Sequence, residues 1–392
     1  MIQINDKKNC CGCGACSNIC PKNCINMKYD EEGFTYPDID STNCVNCGLC
    51  EKVCPISNYS KPKNSLQEAA IVQNRDKTVL QESTSGGFFS VIAEYVIEKG
   101  GVVFGVSIDE EYKVKHIYVD SKNELCRFRN SKYVQSDVGT SFVDVKKFLE
   151  EGRIVCFSGT PCQVYALTKY LGKDYQNLIL VDVVCRAVPS PGVWNRYIKM
   201  KEKKLGSLSI IRFRDKKLGY QYSTMYISSK SGEERGGIES DQWLRMFFSG
   251  MTIRPSCSAC VFRSPKRVSD FTIWDCFNIH RLDKSFDEDK GTTRVLIHSK
   301  KGSLVFDEIK EHFQYKVVSY EIAIEGCKEF ESSPQLHYER SEFFSDYNHM
   351  DFDDLLNKYY PTTIKIKIMK LARLILNRLG LDKTLKHMLK KG

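Results

Sequence analysis

Residues 10–21 read CCGCGACSNICP, and residues 44–55, CVNCGLCEKVCP, repeat the same cysteine spacing. Both runs have the form C-x2-C-x2-C-x3-C-P, which is typical of proteins with two [4Fe-4S] clusters, where the fourth cysteine of each run binds the other run's cluster. The predicted ligands are Cys10, Cys13, Cys16 and Cys54 for one cluster, and Cys44, Cys47, Cys50 and Cys20 for the other. The sequence therefore predicts a dicluster ferredoxin-like module at the start of the chain.

A disulfide framework and a zinc site are the alternatives to iron-sulfur clusters, and both fit these runs less well. Disulfides form in oxidising compartments, and no apolar signal segment opens this sequence. Zinc sites use four ligands in two pairs, whereas each run here supplies three ligands to one cluster and a fourth to the other. Cys11 and Cys24 belong to neither run, and we interpret them as bystanders.

The length of 392 residues exceeds that of an average domain. We predict a ferredoxin-like domain over residues 1–58, a larger domain over 68–335 and a C-terminal helical segment over 340–392. The 42% hydrophobic content suits a sizeable core, and no run approaches the roughly 18 apolar residues of a membrane-spanning helix. The 18 cysteines favour the reducing cytoplasm as the location.

The net charge of +9 does not indicate a nucleic-acid-binding protein, because it is concentrated at one end. Residues 362–392 contain nine lysines and arginines and one aspartate, so they carry +8 of the total. Apolar residues recur there with helical spacing: Ile364, Ile368, Leu371, Ile375 and Leu379, then Leu381, Leu385, Met388 and Leu389 after Gly380. This pattern predicts a basic amphipathic helix that lies on the inner face of an anionic membrane or, alternatively, docks on the protein's own body.

The larger domain alternates predicted strands and helices. Strands are predicted at 69–73, 102–106, 116–119, 153–157, 178–184, 271–274, 294–298 and 315–320, helices at 88–98, 138–150, 163–171, 241–248 and 303–312, and an antiparallel pair at 207–215 and 221–228. Strand, helix and strand joined by glycine-rich crossings favour an α/β domain with a mixed sheet and a strong parallel component, so the whole chain is assigned to the α+β class. Cys162 and Cys185 would follow the carboxyl ends of their strands, where such sheets bind ligands.

A serine- and glycine-rich turn, Ser83-Thr84-Ser85-Gly86-Gly87, precedes the predicted helix at 88–98. Free amides and hydroxyls at a helix N-terminus can bind a phosphate or another anionic group. The alternative is that these serines and threonine only cap the helix.

Four further cysteines are candidates for a second metal or redox site: Cys162, Cys185, Cys257 and Cys260. The pair at 257 and 260 has the C-x2-C spacing of a zinc half-site, a redox pair or ligands of a third cluster. Spacing alone leaves a third [4Fe-4S] cluster, zinc and inert thiols open. The remaining cysteines, Cys126, Cys156, Cys276 and Cys327, are interpreted as buried small hydrophobic residues.

Five motifs occur in the order in which they appear in the coenzyme F420 hydrogenase/dehydrogenase beta-subunit family, which the chain resembles over about residues 68–330. They are Ser83-Thr84-Ser85-Gly86-Gly87-Phe88, Ser131-Lys132-Tyr133-Val134-Gln135-Ser136, Gly159-Thr160-Pro161-Cys162-Gln163, Val188-Pro189-Ser190-Pro191 and Cys257-Ser258-Ala259-Cys260. That family includes the beta subunits of F420-reducing hydrogenase and formate dehydrogenase, and ferredoxin-dependent chlorophyll-pathway reductases.

The resemblance implies a flavoprotein with an iron-sulfur cluster beside FAD. By motif correspondence, Ser85, Gly86 and Gly87 would hold the flavin, and Lys132, Tyr133, Gln135, Ser136 and Thr160 would lie near it. Cys162, Cys185, Cys257 and Cys260 would bind the third [4Fe-4S] cluster.

Two motifs depart from the family pattern. Cys185-Arg186-Ala187 stands where relatives usually have Cys-His-Gly, and Ile273-Trp274-Asp275-Cys276-Phe277 where they usually have Ile-Gly-Asp-Phe-Trp. A tryptophan in place of glycine would reshape or close the substrate pocket, which argues against coenzyme F420 as the substrate.

The leading hypothesis is a ferredoxin-linked, FAD-dependent oxidoreductase. Electrons would enter the N-terminal clusters from ferredoxin or another low-potential donor, pass the third cluster and reach FAD, which reduces an organic substrate by two electrons. The main alternative is an electron-transfer subunit that serves a partner oxidoreductase and has no substrate of its own. A degenerate member kept for partner interaction is a third hypothesis, against which the intact second cysteine set counts.

Overall fold

The two cysteine runs fold into matching turns. The computed structural model describes residues 1–62, 68–286, 289–379 and 381. Helices α1 (Ala15–Ile19) and α2 (Leu49–Lys52) each begin directly after a glycine in the left-handed conformation, Gly14 with φ 71° and Gly48 with φ 72°. A side chain at either glycine would strain this backbone, so both runs use the same device to turn their cysteines. Between them, β1 (Ile25–Tyr29) and β2 (Thr35–Ile39) form an antiparallel hairpin.

The larger part of the chain contributes the other strands of the described residues. These are β3 (Glu68–Asn74), β4 (Val102–Ile108), β5 (Val114–Val119), β6 (Val155–Gly159), β7 (Leu178–Val183), β8 (Leu208–Asp215), β9 (Thr224–Ser229), β10 (Glu233–Gly236), β11 (Phe271–Asp275), β12 (Thr293–Ile297) and β13 (Phe313–Val318). Eight of them form one sheet in the order β13-β3-β12-β11-β7-β6-β4-β5. The pairs in its centre, β11–β7, β7–β6 and β6–β4, are parallel, and the outer pairs are antiparallel. The predicted mixed sheet with a strong parallel component is confirmed.

Helices cover both faces of this sheet. The helices after α2 are α3 (Lys77–Glu82), α4 (Phe88–Glu98), α5 (Ser141–Glu150), α6 (Pro161–Leu171), α7 (Pro191–Leu205), α8 (Gln242–Ser249), α9 (Ile279–Leu282), α10 (Lys300–Ile309), α11 (Tyr320–Ile324), α12 (Arg340–Tyr347), α13 (Phe352–Tyr359) and α14 (Ile364–Arg378). Phe88 and Phe306 of α4 and α10 pack with Phe271 in one core cluster, and Phe142 of α5 packs with Phe157 in another. The strands between these clusters are buried on both sides, as their nearly continuous apolar sequences predict.

A smaller antiparallel sheet, β10-β9-β8, carries a core cluster of its own. Trp194 of α7 and Trp243 of α8 meet edge to face there, with ring centroids 4.9 Å apart. Phe343 and Leu355 are fully buried in the same cluster, so α12 and α13 belong to this core. The predicted antiparallel pair is confirmed, and β10 extends it to three strands.

Several elements differ from the sequence prediction. Helix α7 was not predicted, and α3 lies between β3 and the serine-glycine turn. Within the C-terminal segment predicted over 340–392, α12 and α13 are packed into the body, whereas α14 exposes five of its apolar residues: Ile364, Ile368, Met369, Leu371 and Ile375. Gly380 and the apolar positions after Leu381 lie outside the described residues. No helix in the described part of the chain is long and apolar enough to cross a bilayer.

Candidate iron-sulfur and cofactor sites

The first predicted cysteine set is assembled around Cys16. Its side chain is buried and interacts electrostatically with Cys10, Cys54 and Cys50, and burial followed by the charge of Cys10 raises the pKa of Cys16 to about 12. Cys13 interacts with Cys16 and Cys10 as well. A buried thiol of this kind becomes a thiolate only when a cation such as cluster iron compensates its charge. The four predicted ligands of this cluster therefore lie in one group, in which Cys13, Cys16 and Cys54 are buried and Cys10 is partly exposed.

The second predicted set surrounds a small cavity. Its lining includes Cys20, Cys44, Cys47 and Cys50, which come from both runs. Cys24 lies there too, with its Sγ 3.3 Å from the Sγ of Cys20, so it is a neighbour of this set despite its interpretation as a bystander. Cys47 is exposed, which makes this set the more solvent-facing of the two.

The four cysteines of the third set come from three elements. Cys162 is the second residue of α6, and Cys185 follows the end of β7 by two residues. Cys257 lies within a 3-10 turn, Pro255–Ala259, and Cys260 directly follows that turn. Thr160 and Gln163 form a capping box that fixes the start of α6 and thereby Cys162. The prediction that Cys162 and Cys185 follow the carboxyl ends of neighbouring parallel strands is confirmed.

The third set converges in space. Cys185 interacts electrostatically with Cys257, Cys162 and Cys260, and burial is the first cause that raises the pKa of its thiol. Burial likewise raises the pKa of Cys257 to about 12. No three His, Cys, Asp or Glu side chains among the described residues are placed to hold a single metal ion. A cubane offers a separate iron to each thiolate, so its ligands need not converge on one point.

Cys11 lies between the first and third sets. Its thiol interacts with Cys13 of the first set and with Cys162 of the third, and the contact with Cys13 leads the causes that raise the pKa of Cys11 well above its usual range. These contacts make Cys11 a neighbour of both sets, while its interpretation as a non-ligand, which rests on a spacing that fits neither run, stays a prediction. The residues around Cys11 form no pattern from which its contact with Cys162 could be predicted. The other unassigned cysteines are buried at 156, 276 and 327, but Cys126 is exposed, which corrects its interpretation as a buried residue.

A cavity of about 1460 Å³ lies beside the third set, and Cys185 is part of its wall. Six of the eight residues expected near the flavin line this cavity: Ser85, Gly87, Lys132, Tyr133, Ser136 and Thr160. Gly86 and Gln135 do not belong to the lining. Gln135 instead donates from Nε2 to the backbone oxygens of Cys11 (3.0 Å) and Gly12 (3.3 Å), so it contacts the ferredoxin-like module.

The serine-glycine turn does not cap α4 with a side chain. Gly87 occupies the N-cap position in the left-handed conformation with φ 78°, and no side chain bonds to the first amides of the helix. The Ser85 hydroxyl contacts Thr293 Oγ1 at 2.8 Å, and the Thr84 hydroxyl contacts Ser131 Oγ at 3.0 Å. A side chain at Gly86 would come within 2.3 Å of the Val72 carbonyl oxygen, so Gly86 lets the turn lie against β3. The capping alternative is therefore not realised, and the turn faces the cavity.

Basic side chains dominate the charge of the cavity wall. Arg214 lies 3.2 Å from Asp275 and donates to the Tyr133 hydroxyl at 3.1 Å, while its Nη2 is buried without a hydrogen-bond partner among the described residues. Burial lowers the pKa of Lys132 to about 7, and within the described part of the chain its Nζ donates to backbone oxygens of Arg127 and Arg129. The wall is suited to an anionic ligand.

Of the five residues that depart from the family motifs, four line the cavity: Arg186, Ala187, Trp274 and Phe277. The Trp274 ring packs edge to face against Phe330, with centroids 5.5 Å apart, and Arg294 lies 6.0 Å from its centroid. Arg186 donates to the Phe248 carbonyl oxygen at 3.2 Å. Trp274 therefore forms part of the wall without closing the cavity.

Two family models match this chain. Residues 152–322 match the family described as the C terminus of the coenzyme F420 hydrogenase/dehydrogenase beta subunit, and residues 9–58 match the 4Fe-4S dicluster domain. The predicted resemblance is confirmed over these residues. No curated protein matches the chain. One similar solved structure is that of the F420-reducing [NiFe] hydrogenase complex from Methanosarcina barkeri; the match has 13% identity and a TM-score of 0.42 and covers 78% of this chain and 95% of that chain.

Proposed function

We propose that this chain, which carries the C-terminal domain of the coenzyme F420 hydrogenase/dehydrogenase beta-subunit family behind a 4Fe-4S dicluster domain, is an iron-sulfur flavoprotein oxidoreductase. The observation that carries the proposal is the position of Cys185. It interacts with the other three cysteines of the third set and also forms part of the wall of the large cavity. A cluster bound there would exchange electrons directly with a cofactor in the cavity.

Cys44, Cys47, Cys50 and Cys20 would hold the cluster that a donor reaches first, because Cys47 is exposed. Cys10, Cys13, Cys16 and Cys54 would hold the second cluster, and Cys11 lies between this set and the third, since it interacts with Cys13 and Cys162. Such clusters would carry electrons one at a time towards the cavity. The donor is ferredoxin or another low-potential carrier.

FAD suits the cavity in size, charge and the nature of its wall. The uncapped amides at the start of α4 and the free Nη2 of Arg214 are donors for its phosphates or for an electron-rich edge of its ring. Ser85 and Gly87 would hold it, with Lys132, Tyr133, Ser136 and Thr160 along the wall. The Gly86 amide donates to Thr293 Oγ1, so Gly86 would only let the turn lie against β3, and Gln135 contacts the ferredoxin-like module instead. When bound, FAD converts the single electrons of clusters into a two-electron reduction of an organic substrate.

Anaerobic reconstitution tests the cofactor content. Three cubanes predict about twelve iron atoms per chain together with one FAD. Cys162→Ala should lower the iron content to about eight, whereas Cys126→Ala, which changes an exposed cysteine outside every set, should leave it unchanged. A wild-type chain with about eight iron atoms and no flavin would contradict the proposal.

A second candidate is an electron-transfer subunit, since the matched family description names a beta subunit. Such a chain would pass electrons to a partner oxidoreductase and have no organic substrate of its own. Copurification with a larger subunit, together with dye reduction but no substrate turnover by the isolated chain, would favour this function.

We further propose that α14 contacts an anionic membrane surface. Ile364, Ile368 and Leu371 are 76%, 61% and 59% exposed. Polar contacts tie α14 to the body, since Arg373 pairs with Glu239 at 2.9 Å and Asn377 donates to the Leu218 carbonyl oxygen at 2.8 Å. Within the described residues this apolar stripe is exposed beside several lysines, as in helices that lie in a membrane interface.

Vesicle flotation tests this contact. The full chain should float with phosphatidylglycerol vesicles and much less with phosphatidylcholine vesicles, and a chain truncated after residue 361 should not float with either. Equal flotation of the two chains would remove the membrane proposal. If a protein that binds α14 copurifies with the chain, the exposed face of α14 is a protein-binding surface, and the membrane proposal is wrong.

A further inference from the structure

Arg254 is a fully buried arginine whose side chain reaches the N-terminal module. Its Nε donates to the Cys10 carbonyl oxygen at 2.8 Å, and its Nη2 donates to the Thr35 carbonyl oxygen at 3.0 Å. Its Nη2 also lies 3.6 Å from the Cys10 sulfur, and its Nη1 donates to Gln135 Oε1 at 3.0 Å. The guanidinium therefore contacts both the backbone and the sulfur of a predicted cluster ligand.

The charge of Arg254 has no carboxylate partner within the described part of the chain. Its side-chain hydrogen bonds end on backbone oxygens, an amide and a thiol, and the Phe34 and Tyr36 rings lie 5.3 and 4.2 Å from its Cζ. A buried guanidinium without an anion is costly, because the low-dielectric interior cannot replace the water that solvated its charge. A cluster bound by four thiolates is an anion, and the cluster that includes Cys10 would lie beside this cation.

The backbone of Arg254 belongs to the third cysteine set. Its amide donates to the Val188 carbonyl oxygen, and its carbonyl oxygen accepts from the Cys257 amide, both at 2.9 Å. A side chain at Gly12, which has φ 66°, would come within 2.6 Å of Arg254 Nη1, so the loop between Cys10 and Cys13 lies directly against the guanidinium. One residue thus joins the loop of the first set to the turn that carries Cys257.

We propose that Arg254 is a positioning residue that sets the reduction potential of the cluster held by Cys10, Cys13, Cys16 and Cys54 and fixes this cluster beside the third one. The inference rests on the proposed function, because it requires both clusters to be bound. Reduction adds one electron from the low-potential donor and no proton, so the cluster gains negative charge. A neighbouring cation stabilises the reduced form more than the oxidised form and raises the potential.

Redox titration followed by electron paramagnetic resonance of the reconstituted full-length protein tests this inference. Arg254→Gln removes the charge, and Gln135→Glu keeps Arg254 but gives it a carboxylate partner. Each variant should lower the reduction potential of the cluster that includes Cys10. For Arg254→Gln we expect the equilibrium constant of reduction to fall roughly tenfold, which corresponds to about 59 mV for one electron. Arg254→Lys keeps the charge, so its reduction potential should lie close to that of the wild type.

Arg196→Gln is the matched control. Like Arg254, Arg196 donates to backbone carbonyl oxygens, those of Tyr347 and Met350, and lies against two aromatic rings, but among the described residues it contacts no cysteine. Its replacement should leave all potentials unchanged. Unchanged potentials in Arg254→Gln and Gln135→Glu at full iron content would overturn the inference, whereas a wild-type chain without the third cluster would instead overturn the proposed function.

Discussion

Arg340 and Glu32, which are 308 positions apart, form a two-contact ion pair: Nη1 to Oε1 is 2.5 Å and Nη2 to Oε2 is 2.6 Å. The side chains are only 10% and 14% exposed. The pair connects α12 to the turn between β1 and β2, so the C-terminal part of the chain holds the ferredoxin-like module.

Arg340→Ala should therefore destabilise the module by about 3 kcal/mol, because it leaves the Glu32 carboxylate buried without its partner. The control is Lys28→Ala, which removes the exposed pair with Asp38 on the same hairpin and should cost less than about 1 kcal/mol. Urea unfolding followed by cluster absorbance measures both changes. Equal midpoints for the two variants would contradict this prediction.

Gly33→Ala should weaken the contact between the ferredoxin-like module and the larger domain by more than its backbone strain alone would explain. Gly33 has φ 73°, and an added Cβ would come within 2.6 Å of the Gly192 Cα, which is backbone and cannot move aside cheaply. Gly100→Ala is the control, since Gly100 has the same φ of 73° but no atom within 4 Å of an added Cβ; its cost should be about 1 kcal/mol. Limited proteolysis between residues 58 and 68 reports the separation, and equal cleavage of both variants would refute the contact.

His116 predicts a loss of stability in mild acid. The ring is buried, stacks on Phe157 and lies 3.1 Å from the Ser158 carbonyl oxygen, and burial lowers its pKa to about 4. The unfolded chain, with a usual histidine pKa near 6.5, binds a proton that the folded chain does not bind between these values. Stability from this residue is therefore present above pH 6.5 and is lost as the pH falls towards 4.

Between pH 7.5 and 5.0 this loss should reach about 2 kcal/mol. His116→Gln, which keeps an amide donor for Ser158 but does not titrate, should lose correspondingly less stability over the same interval. His349→Gln, a change at an exposed position, should behave as the wild type. Urea midpoints at both pH values measure the differences, and identical pH dependence of wild type and His116→Gln would exclude the effect.

Arg214→Ala should weaken FAD binding by about tenfold or more, because a charge-assisted hydrogen bond contributes about 1.5–3 kcal/mol. Arg212→Ala is the control, since Arg212 precedes it by two residues on β8 but does not line the cavity. Equilibrium titration of the flavin-depleted protein with FAD measures both affinities. If the two variants bind FAD equally, Arg214 is not a flavin contact.

The local parts of this structure were predictable from local sequence. Helix α4 has the bounds that its apolar pattern predicts, 88–98, and the serine-glycine turn precedes it. Strand ends and motif order together indicate the third cysteine set, since neighbouring parallel strands bring Cys162 and Cys185 to one edge of the sheet.

What the sequence did not predict depends on contacts between distant residues. The contact of Arg254 with Cys10 spans 244 positions, and neither residue's neighbours carry a pattern that pairs them. Helix α7 did offer a signal, Ser190 followed by Pro191, with apolar residues at helical spacing from Val193 to Leu205. Several lysines interrupt the apolar pattern of α7, so the pattern alone is weak. One of them, Lys201, is buried in the structure, where it pairs with Glu234.

The Gly192 amide donates to the Gly33 carbonyl oxygen at 3.0 Å, and the Ser190 hydroxyl donates to the Glu32 carbonyl oxygen. These bonds join the turn between β1 and β2 to the start of α7, so contacts distant in sequence hold the ferredoxin-like module against the larger domain. Under the proposed function, electron delivery from this module would not depend on linker length or solvent viscosity, which govern carriers that search for their acceptor on a flexible tether.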